Sequence, residues 1–336
     1  MTGKGGTDMM RTGTAAACLA AAVLIFAAGC GIQKKEAAPA GDAYTVKDYT
    51  GAEVKIPGKP KKVLADSQSL DTMILGIVPG DHLAACSLSS KDPAISYVAE
   101  ETKDIQKTIP LSAGISMEDL TSLNPDLIIC STYSRPEQVK LYKDMGFPVV
   151  IVKGPTNIGE VESSVRLIAS ALGEKDRGEK VVAQMEEKLA HIDQVLNDLH
   201  KPRPTALLIS QMTSYGGPGS MYHDLLTRAH IDNAMAKMGV ANGQLMSPEK
   251  MVESDPDFLF VSKDRSSDET GAGRYRDGVL GNPAIQGMRA YQHIIPLDDR
   301  YIYASTQNCV YAVEAMANAA YGPLFDMSHE KNIKGY

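Results

Sequence analysis

The sequence predicts an α/β protein of two Rossmann-like lobes with mainly parallel sheets, joined by a single long helix. Three observations lead to this prediction: the chain length, the alternation of short apolar runs with helical segments, and one long amphipathic stretch. At 336 residues, the chain exceeds the usual size of a single hydrophobic core, so two cores are expected. Continuous apolar strands separated by helices are typical of parallel sheets covered on both faces.

The strands fall into two sets. An opening hairpin is predicted where residues 44–46 and 53–56 flank the turn sequence Asp-Tyr-Thr-Gly at 48–51. Each later strand is predicted from a short apolar run. These runs are Val63 to Ala65, Leu83 to Cys86, Leu127 to Cys130 and Val149 to Val152, then Ala206 to Ile209, Phe258 to Val261 and Ile294 to Leu297.

One long helix is predicted between the two sets of strands. Over residues 175–200 the apolar side chains recur at spacings of three and four, with charged residues between them. Two prolines within 201–204 then end the helix. The predicted division is an N-terminal lobe at 44–172, a connecting helix at 173–201 and a C-terminal lobe at 202–336.

An internal repeat relates the two lobes. Residues 116–130 align without gaps with residues 247–261. In each copy a serine can cap a short helix, a glutamate lies in its first turn, and a Pro-Asp pair precedes a buried strand. The two lobes are therefore predicted to be structural copies of one another.

The N-terminus has the features of an export signal. Lys4 and Arg11 precede an apolar run, residues 15–28, that is too short to span a bilayer and ends in Gly29-Cys30. Small residues before a cysteine resemble the lipobox of bacterial lipoproteins, which predicts a signal peptide at 1–29, lipidation of Cys30 and a flexible tether at 30–43. The alternatives are an uncleaved membrane anchor and a plain secretory signal.

Composition and motifs argue against several classes of function. The net charge of −7 argues against a nucleic-acid partner, which requires a concentrated basic surface. Beyond the leader there is no Gly-x-Ser-x-Gly, Walker or His-Glu-x-x-His motif, so catalysis is not expected. Cys86, Cys130 and Cys309 lack metal-ligand spacing and are predicted to be buried free thiols.

The order of these features resembles a known family. The opening hairpin, the segment from Glu118 to Ile129, the single connecting helix and the segment from Tyr303 to Gln307 before a final helix are similar to the periplasmic binding proteins of ABC importers for ferric siderophores, haem and cobalamin. The resemblance implies a ligand cleft between the lobes and only a small closure around the ligand. It also implies an exported, lipid-anchored protein that passes an iron or other metal chelate to an ABC permease and its ATPase. Haem, cobalamin, or a sensor or chaperone role on the same scaffold remain alternatives.

The resemblance assigns a docking role to two glutamates. In the family, an acidic residue on each lobe binds arginines of the permease, and the matching positions here are Glu118 and Glu249. Two carboxylates at equivalent places can orient a symmetric membrane partner. The alternative is that each carboxylate only stabilises a helix N-terminus.

The ligand is expected to contact loops at the cleft-facing strand ends. The cations among these residues suggest an anionic cargo such as a ferric catecholate or carboxylate complex, although loop cations are commonly just solvated. Tyr133 and His223 are candidate axial ligands should the cargo be haem. Cobalamin is less favoured because the chain has no tryptophan. The predicted ligand-binding residues are Ser67, Gln68, Tyr133, Arg135, Met212, Tyr215, Tyr222, His223, Lys263, Arg265, Arg274, Arg276, Tyr303 and Gln307.

Overall fold

The computed structural model describes residues 42–110, 114–213, 215–263 and 272–336. The predicted signal peptide, Cys30, nearly all of the tether and Arg265 lie outside the described residues.

The strands form two larger parallel sheets and two small sheets. One sheet has the order β3-β6-β7, and the other has the order β11-β10-β8-β9. A hairpin, β1-β2, opens the fold, and β4 pairs with β5. The strands are β1 (Tyr44–Lys47), β2 (Glu53–Ile56), β3 (Val63–Ala65), β4 (Cys86–Ser87), β5 (Thr108–Ile109), β6 (Leu127–Ser131), β7 (Val149–Val152), β8 (Thr205–Ile209), β9 (Asp232–Asn233), β10 (Phe258–Ser262) and β11 (Ile294–Leu297).

Helices follow most strands, as expected of parallel sheets with crossover connections. The described helices are α1 (Gln68–Leu75), α2 (Ala99–Thr102), α3 (Met117–Leu123), α4 (Pro136–Asp144), α5 (Ile158–Ala171), α6 (Lys175–Asp198), α7 (Met221–Arg228), α8 (Ala234–Lys237), α9 (Pro248–Glu253), α10 (Ala272–Leu280), α11 (Pro283–Gln286), α12 (Asp299–Ile302) and α13 (Cys309–Tyr321).

The structure confirms the predicted α/β architecture and most of the predicted elements. One strand differs: residues 83–86 were expected to pair throughout, but β4 begins only at Cys86. Leu83 makes a single isolated bridge to Val63, because the chain pairs with β5 only from Cys86 onward. The apolar pattern gave no sign of β5 or β9, which contain two residues each. Cys86, Cys130 and Cys309 are buried and free, as predicted.

The two sheets share one core and each has a second core of its own. Alternate residues of β6 and β10 face opposite sides, as the two-residue period of a strand requires. One side of each strand belongs to a cluster common to both halves of the chain, and the other side belongs to a cluster confined to one half. The common cluster contains Leu127 and Ile129 of β6 and Phe258 and Phe260 of β10. The cluster of the N-terminal half contains Ile128 and Cys130, and the cluster of the C-terminal half contains Leu259 and Val261.

The repeated segments fold alike. Ser116 Oγ accepts a hydrogen bond from the Asp119 amide at 3.0 Å, and Ser247 Oγ accepts one from the Lys250 amide at 3.4 Å, so both predicted caps are present. The residue before the Pro-Asp pair is left-handed in both copies, with φ 41° at Asn124 and 35° at Asp255.

The aspartate of each Pro-Asp pair joins two strands of its sheet. The carboxylate of Asp126 accepts from the amides of Lys61 and Lys62, at 2.8 and 3.0 Å, just before β3. The carboxylate of Asp257 accepts from the amide of Thr205 at 2.7 Å, at the start of β8. The repeat therefore helps to align β3 with β6 and β8 with β10.

The connecting helix α6 packs against helices of both lobes. Gly178 of α6 contacts α5 so closely that a Cβ at this position would lie 2.4 Å from the Cβ of Ala169. Further along α6, Lys188 lies 3.8 Å from the carboxylate of Glu314 on α13, and its ammonium lies 5.0 Å from the Tyr311 ring centroid. At about 1.5 Å per residue, the 24 residues of α6 span roughly 36 Å.

Candidate functional site

A cavity of about 260 Å³ lies at the carboxyl ends of β3, β6 and β7. Residues at or just after the end of each strand line it, namely Asp66, Ser67, Ser69 and Leu70, then Ser131, Tyr133, Ser134 and Arg135, and then Lys153, Gly154 and Pro155. Ser305, in the loop before α13, also lines the cavity and comes from the C-terminal half of the chain. This is where open parallel sheets bind ligands, because the loops leaving the strands converge there.

A carboxylate and a guanidinium are close together in this cavity. Asp66 is half-buried directly after β3. Its burial raises the pKa of its carboxyl group, while hydrogen bonds with the side chains of Ser134 and Cys130 and the nearby charge of Arg135 act in the opposite direction. The cavity therefore presents charges of both signs.

Five serines also line this cavity, namely Ser67, Ser69, Ser131, Ser134 and Ser305. Ser67 Oγ accepts from the Leu70 amide at 3.4 Å, and Ser131 Oγ accepts from the Tyr133 amide at 3.1 Å. Because each of these oxygens accepts from the backbone, its own hydrogen can be donated elsewhere. These hydroxyls can bind ligand oxygen atoms.

Tyr133 forms an exposed wall of the cavity. Its side chain is 71% exposed, and its ring lies against Gly154, where a Cβ would be 2.4 Å from two ring carbons. Gly154 therefore permits the ring to lie flat on the backbone after β7. A large exposed aromatic face in a cleft is suited to contact with an apolar or planar ligand surface.

A second cavity of about 230 Å³ adjoins the first. Ser67, Ser69 and Ser305 line both cavities, and the hydroxyl oxygens of Ser69 and Ser305 are 3.1 Å apart. This hydrogen bond connects the start of α1 with the loop before α13. Tyr303 and Gln68 also line the second cavity.

A tyrosine and arginine network borders the second cavity. The Arg300 guanidinium lies 5.0 Å from the Tyr97 ring centroid and forms a two-point ion pair with Asp298. Glu330 accepts hydrogen bonds from Tyr97 at 3.3 Å and from Tyr301 at 2.6 Å. The network joins residues from both halves of the chain to the C-terminal segment.

Tyr215 and Met212, the predicted ligand-binding residues between β8 and α7, line neither of these two cavities. Tyr215 packs against Tyr303 with ring centroids 5.2 Å apart, and the Tyr303 hydroxyl is 3.2 Å from Ser210 Oγ. Within the described part of the chain, the buried hydroxyl of Tyr215 has no hydrogen-bond partner. Met212 is 38% exposed and lines a cavity of only about 20 Å³.

Tyr222, Gln307 and His223 also line neither of the two adjoining cavities. Tyr222 is fully buried in the common core. Gln307 is also fully buried, and its Nε2 donates to the Thr72 carbonyl and to Asn332 Oδ1, both at 2.8 Å. His223 lies on α7 and lines neither cavity, so the structure does not bring it together with Tyr133. Tyr222 lies at a helix start and Gln307 lies in a loop before a helix, and neither position distinguishes a core side chain from a cleft residue.

Lys263, Arg274 and Arg276, the described cations that were predicted after β10, also line neither of the two adjoining cavities. Arg276 donates to Asp277 Oδ1 at 2.8 Å and to the Ser262 carbonyl at 3.1 Å. Lys263 and Arg274 are exposed. The cations that do line these cavities are Arg135, Lys153 and Arg300.

Glu118 and Glu249 occupy equivalent exposed positions in the first turns of α3 and α9. Hydrogen bonds from its own amide and from Ser247 lower the pKa of Glu249. Because both side chains are exposed, another protein can contact them.

Several cavity residues were missed as individual site residues. Asp66 and Lys153 directly follow predicted strands, and this position is the signal that could have found them. Ser69, in the first turn of α1, and Ser134 lie four residues beyond a predicted strand end, where nothing local distinguishes their roles. Ser305 reaches the cavity only through the fold.

Two searches of the described residues gave negative findings. No helix in the ranges 42–110, 114–213, 215–263 and 272–336 is long and apolar enough to cross a membrane. Across the same ranges, no three His, Cys, Asp or Glu side chains form a group that could hold a metal ion.

Comparisons with known proteins agree with this architecture. The sequence model described as "Periplasmic binding protein" matches residues 63–301. The chain is 27% identical over 156 residues to a probable siderophore-binding lipoprotein, YfiY, of Bacillus subtilis strain 168, a match that spans 46% of each protein. It is 26% identical over 242 residues to the iron-uptake system-binding protein of the same organism, which covers 68% of this chain and 70% of that relative.

Solved structures share the fold. The periplasmic haem-binding protein RhuT from Roseiflexus sp. RS-1 in its apo form has a TM-score of 0.66 at 24% identity, covering 78% of this chain and 98% of its own. Helicobacter pylori CeuE with bound Ni(II) has a TM-score of 0.63 at 21% identity, covering 83% of this chain and 89% of its own. At these identities the likeness concerns the fold alone.

Proposed function

Because the chain belongs to the periplasmic binding protein family, we propose that it captures an iron chelate outside the cytoplasm and delivers it to an ABC permease. The observation that carries this proposal is the cavity at the ends of β3, β6 and β7, which receives Ser305 from the other half of the chain. With the adjoining cavity, it offers space on the scale of small-molecule sites. The siderophore and iron-uptake names of the two relatives support an iron chelate as the cargo.

The proposal includes the arrangement of the whole chain. Residues 1–29 act as a lipoprotein signal peptide, Cys30 carries the lipid, and residues 30–43 tether the folded part to the membrane. Residues 44–172 and 202–336 form the two lobes, and residues 173–201 connect them. Palmitate labelling of the expressed chain and of Cys30→Ser tests the anchor. Equal labelling of both proteins would contradict it.

A binding experiment tests the cargo. The chain has 14 tyrosines and no tryptophan, so binding can be followed by tyrosine fluorescence. Tyr133 and Tyr303 line the two adjoining cavities, and a chelate bound there should quench their fluorescence. Ferric siderophores, haem and cobalamin are titrated against the full chain, with thermal shift as a second readout. Sub-micromolar binding of a ferric siderophore supports the proposal, and failure of all three classes to bind contradicts it.

Haem is the second candidate because Tyr133 is 71% exposed in the cavity, and a tyrosinate can ligate haem iron. His223, the other predicted axial ligand, does not line that cavity. A haem complex ligated by Tyr133 would show a haem absorption spectrum that changes in Tyr133→Phe. An unchanged spectrum would exclude this mode of ligation.

Delivery is proposed to depend on Glu118 and Glu249, the exposed and structurally equivalent pair. In cells carrying the cognate importer, we expect Glu118→Ala with Glu249→Ala to lower uptake at least ten-fold while the affinity for the chelate is unchanged. Glu187→Ala, an exposed change on the connecting helix, is the matched control and should leave uptake intact. Reduced affinity with normal uptake per bound chelate would show that the pair acts on folding rather than docking.

A further inference from the structure

The walls of the second cavity come from both halves of the chain. Tyr97 lies before α6 in the sequence, whereas Arg300 and Tyr303 lie after it. The hydrogen bond between the hydroxyls of Ser69 and Ser305 joins the two walls directly. One bond between two hydroxyls contributes little to stability, so the separation of the walls needs a further restraint.

Glu330 links a residue before α6 to a residue after it. Its carboxylate accepts hydrogen bonds from the Tyr97 hydroxyl at 3.3 Å and from the Tyr301 hydroxyl at 2.6 Å, each on a different oxygen. The Arg300 guanidinium lies 5.0 Å from the Tyr97 ring centroid and 5.8 Å from that of Tyr301. Movement of either wall away from the other would therefore break one of the bonds to Glu330.

Asn332 holds the loop before α13. Its Oδ1 accepts from Gln307 Nε2 at 2.8 Å and from Asn308 Nδ2 at 2.9 Å. Asn308 lines the second cavity, and its Oδ1 accepts from the Ile333 amide at 2.9 Å. Asn332 and Asn308 are both buried, and hydrogen bonds in such surroundings are stronger than in water.

Residues 334–336 attach the same segment to α1 and α6. The Gly335 amide donates to the Gly76 carbonyl at 2.8 Å, at the end of α1, and Lys334 Nζ lies 2.8 Å from the Glu101 carboxylate. A Cβ on Gly335 would lie 2.1 Å from the Arg177 carbonyl oxygen of α6, so a larger residue does not fit there. Helix α1 begins at the second cavity and ends at this contact.

From these contacts we infer that residues 330–336 form a clasp that positions Tyr97 and the loop of residues 298–308 as facing walls of the second cavity. The clasp holds the walls at their separation before any ligand enters. Glu330, Asn332 and Gly335 are positioning residues, because they act on the cavity through the residues that line it. This role does not depend on which ligand the cavity binds.

Disulfide trapping measures the separation of the walls. The Oγ atoms of Ser69 and Ser305 are 3.1 Å apart, so Ser69→Cys with Ser305→Cys places two thiols where they can form a bond across the cavities. At a fixed ratio of oxidised to reduced glutathione, the rate of bond formation reports how often the two walls meet. Peptide mapping by mass spectrometry identifies this bond in the full chain and distinguishes it from bonds of other cysteines.

In the double-cysteine protein we expect Gly335→Ala to slow formation of this disulfide at least five-fold, because the clasp can no longer lie against α6. Glu330→Gln replaces one accepting oxygen with an amide NH2 group, loses one of the two tyrosine bonds and should slow the reaction to a smaller extent. Gly58→Ala is the matched control, since its added methyl group meets no atom within 4 Å. It should leave the rate unchanged.

Asp126→Ala separates the clasp from a general loss of stability. It removes hydrogen bonds at the start of β3, away from both cavities, and should leave the disulfide rate unchanged even where it lowers the free energy of unfolding. If Gly335→Ala does not fold, the result for Glu330→Gln decides. Unchanged rates in the folded clasp variants, or equal slowing in Asp126→Ala, would overturn the inference. Failure of the chain to bind a chelate would overturn the proposed function alone, because no step of this test uses a ligand.

Discussion

The carboxyl ends of the two parallel sheets differ far more than the sheets themselves. After β6, Tyr133, Ser134 and Arg135 line the first cavity. After β10, Ser262 Oγ bonds to Asp299, and its carbonyl accepts from Arg276. One strand end is thus available to a ligand, whereas the polar groups of the other are engaged by neighbouring side chains.

The two copies of the repeat are alike where their strands begin and differ where their strands end. The capping serines, the left-handed turns and the Pro-Asp pairs are the same in both copies, and they act where the strands begin. The residues at the strand ends differ between the copies. A rigid strand positions the loop that follows it whatever the sequence of that loop, so the loops can differ while the strands stay alike. The lobes therefore share a folding unit, whereas the described lining of the first cavity comes mainly from the N-terminal lobe.

A second pair of equivalent residues shows the same asymmetry. Helices α1 and α7 follow the first strand of each large sheet, begin after the capping residues Ser67 and Ser220, and each carry an aspartate in the first turn. Asp71 is fully buried within its own lobe, whereas Asp224 accepts from the Ile158 amide at 2.8 Å, at the start of α5.

The largest expected effect concerns Asp71. Complete burial raises its pKa to about 7, despite hydrogen bonds from Ser90 Oγ and the Ser87 amide, both at 2.6 Å. A folded-state pKa above the unfolded value means that ionisation costs stability as the pH rises from about 4 to about 7, and that this cost persists above pH 7.

We therefore expect the free energy of unfolding to fall between pH 5 and pH 8 by about 2–3 kcal/mol more in the unaltered chain than in Asp71→Asn. Urea unfolding at the two pH values measures this difference. Asp224→Asn makes the matched change on α7. Equal pH dependence in the unaltered chain and in Asp71→Asn would show that ionisation of Asp71 does not cause the loss of stability.

The Pro-Asp aspartates test whether the repeat stabilises both lobes equally. Asp126→Ala leaves two backbone amides without this acceptor and Asp257→Ala leaves one, and we expect each change to cost about 1–2 kcal/mol. Asp257→Ala also removes the acceptor of a hydrogen bond from Arg289 at 3.0 Å, so the two costs should be similar. Denaturant unfolding measures both, and Arg289→Ala isolates the surface ion pair. No loss of stability in either variant would show that the aspartates do not fix strand alignment.

The smallest effect is expected where the lobes meet at the cavities. Ser305→Ala removes one hydroxyl of the Ser69–Ser305 hydrogen bond, a change worth about 0.5–1.5 kcal/mol, and should weaken chelate binding a few-fold. Ser69→Ala should have a similar effect, because either change removes the same bond. Fluorescence titration checks both variants, with Ser163→Ala on exposed α5 surface as the control. Unchanged affinity in both would place the bound chelate elsewhere in the cleft.

The sequence by itself determined the element order, the long connecting helix, the repeat and the family. These depend on local signals: the period of apolar residues, serine caps, and proline and glycine positions. The strand ends that approach the ligand cavity were also identified, because in a parallel sheet they follow directly from the strands.

Only the tertiary structure decided which loop residues face the cavity. Tyr222 and Gln307 were indistinguishable from cleft residues in sequence, yet packing buries both completely. Asp66 and Ser305 are separated by more than two hundred residues and line one cavity. Their proximity depends on how the two sheets and α6 pack around a common core, and no short-range sequence pattern predicts it.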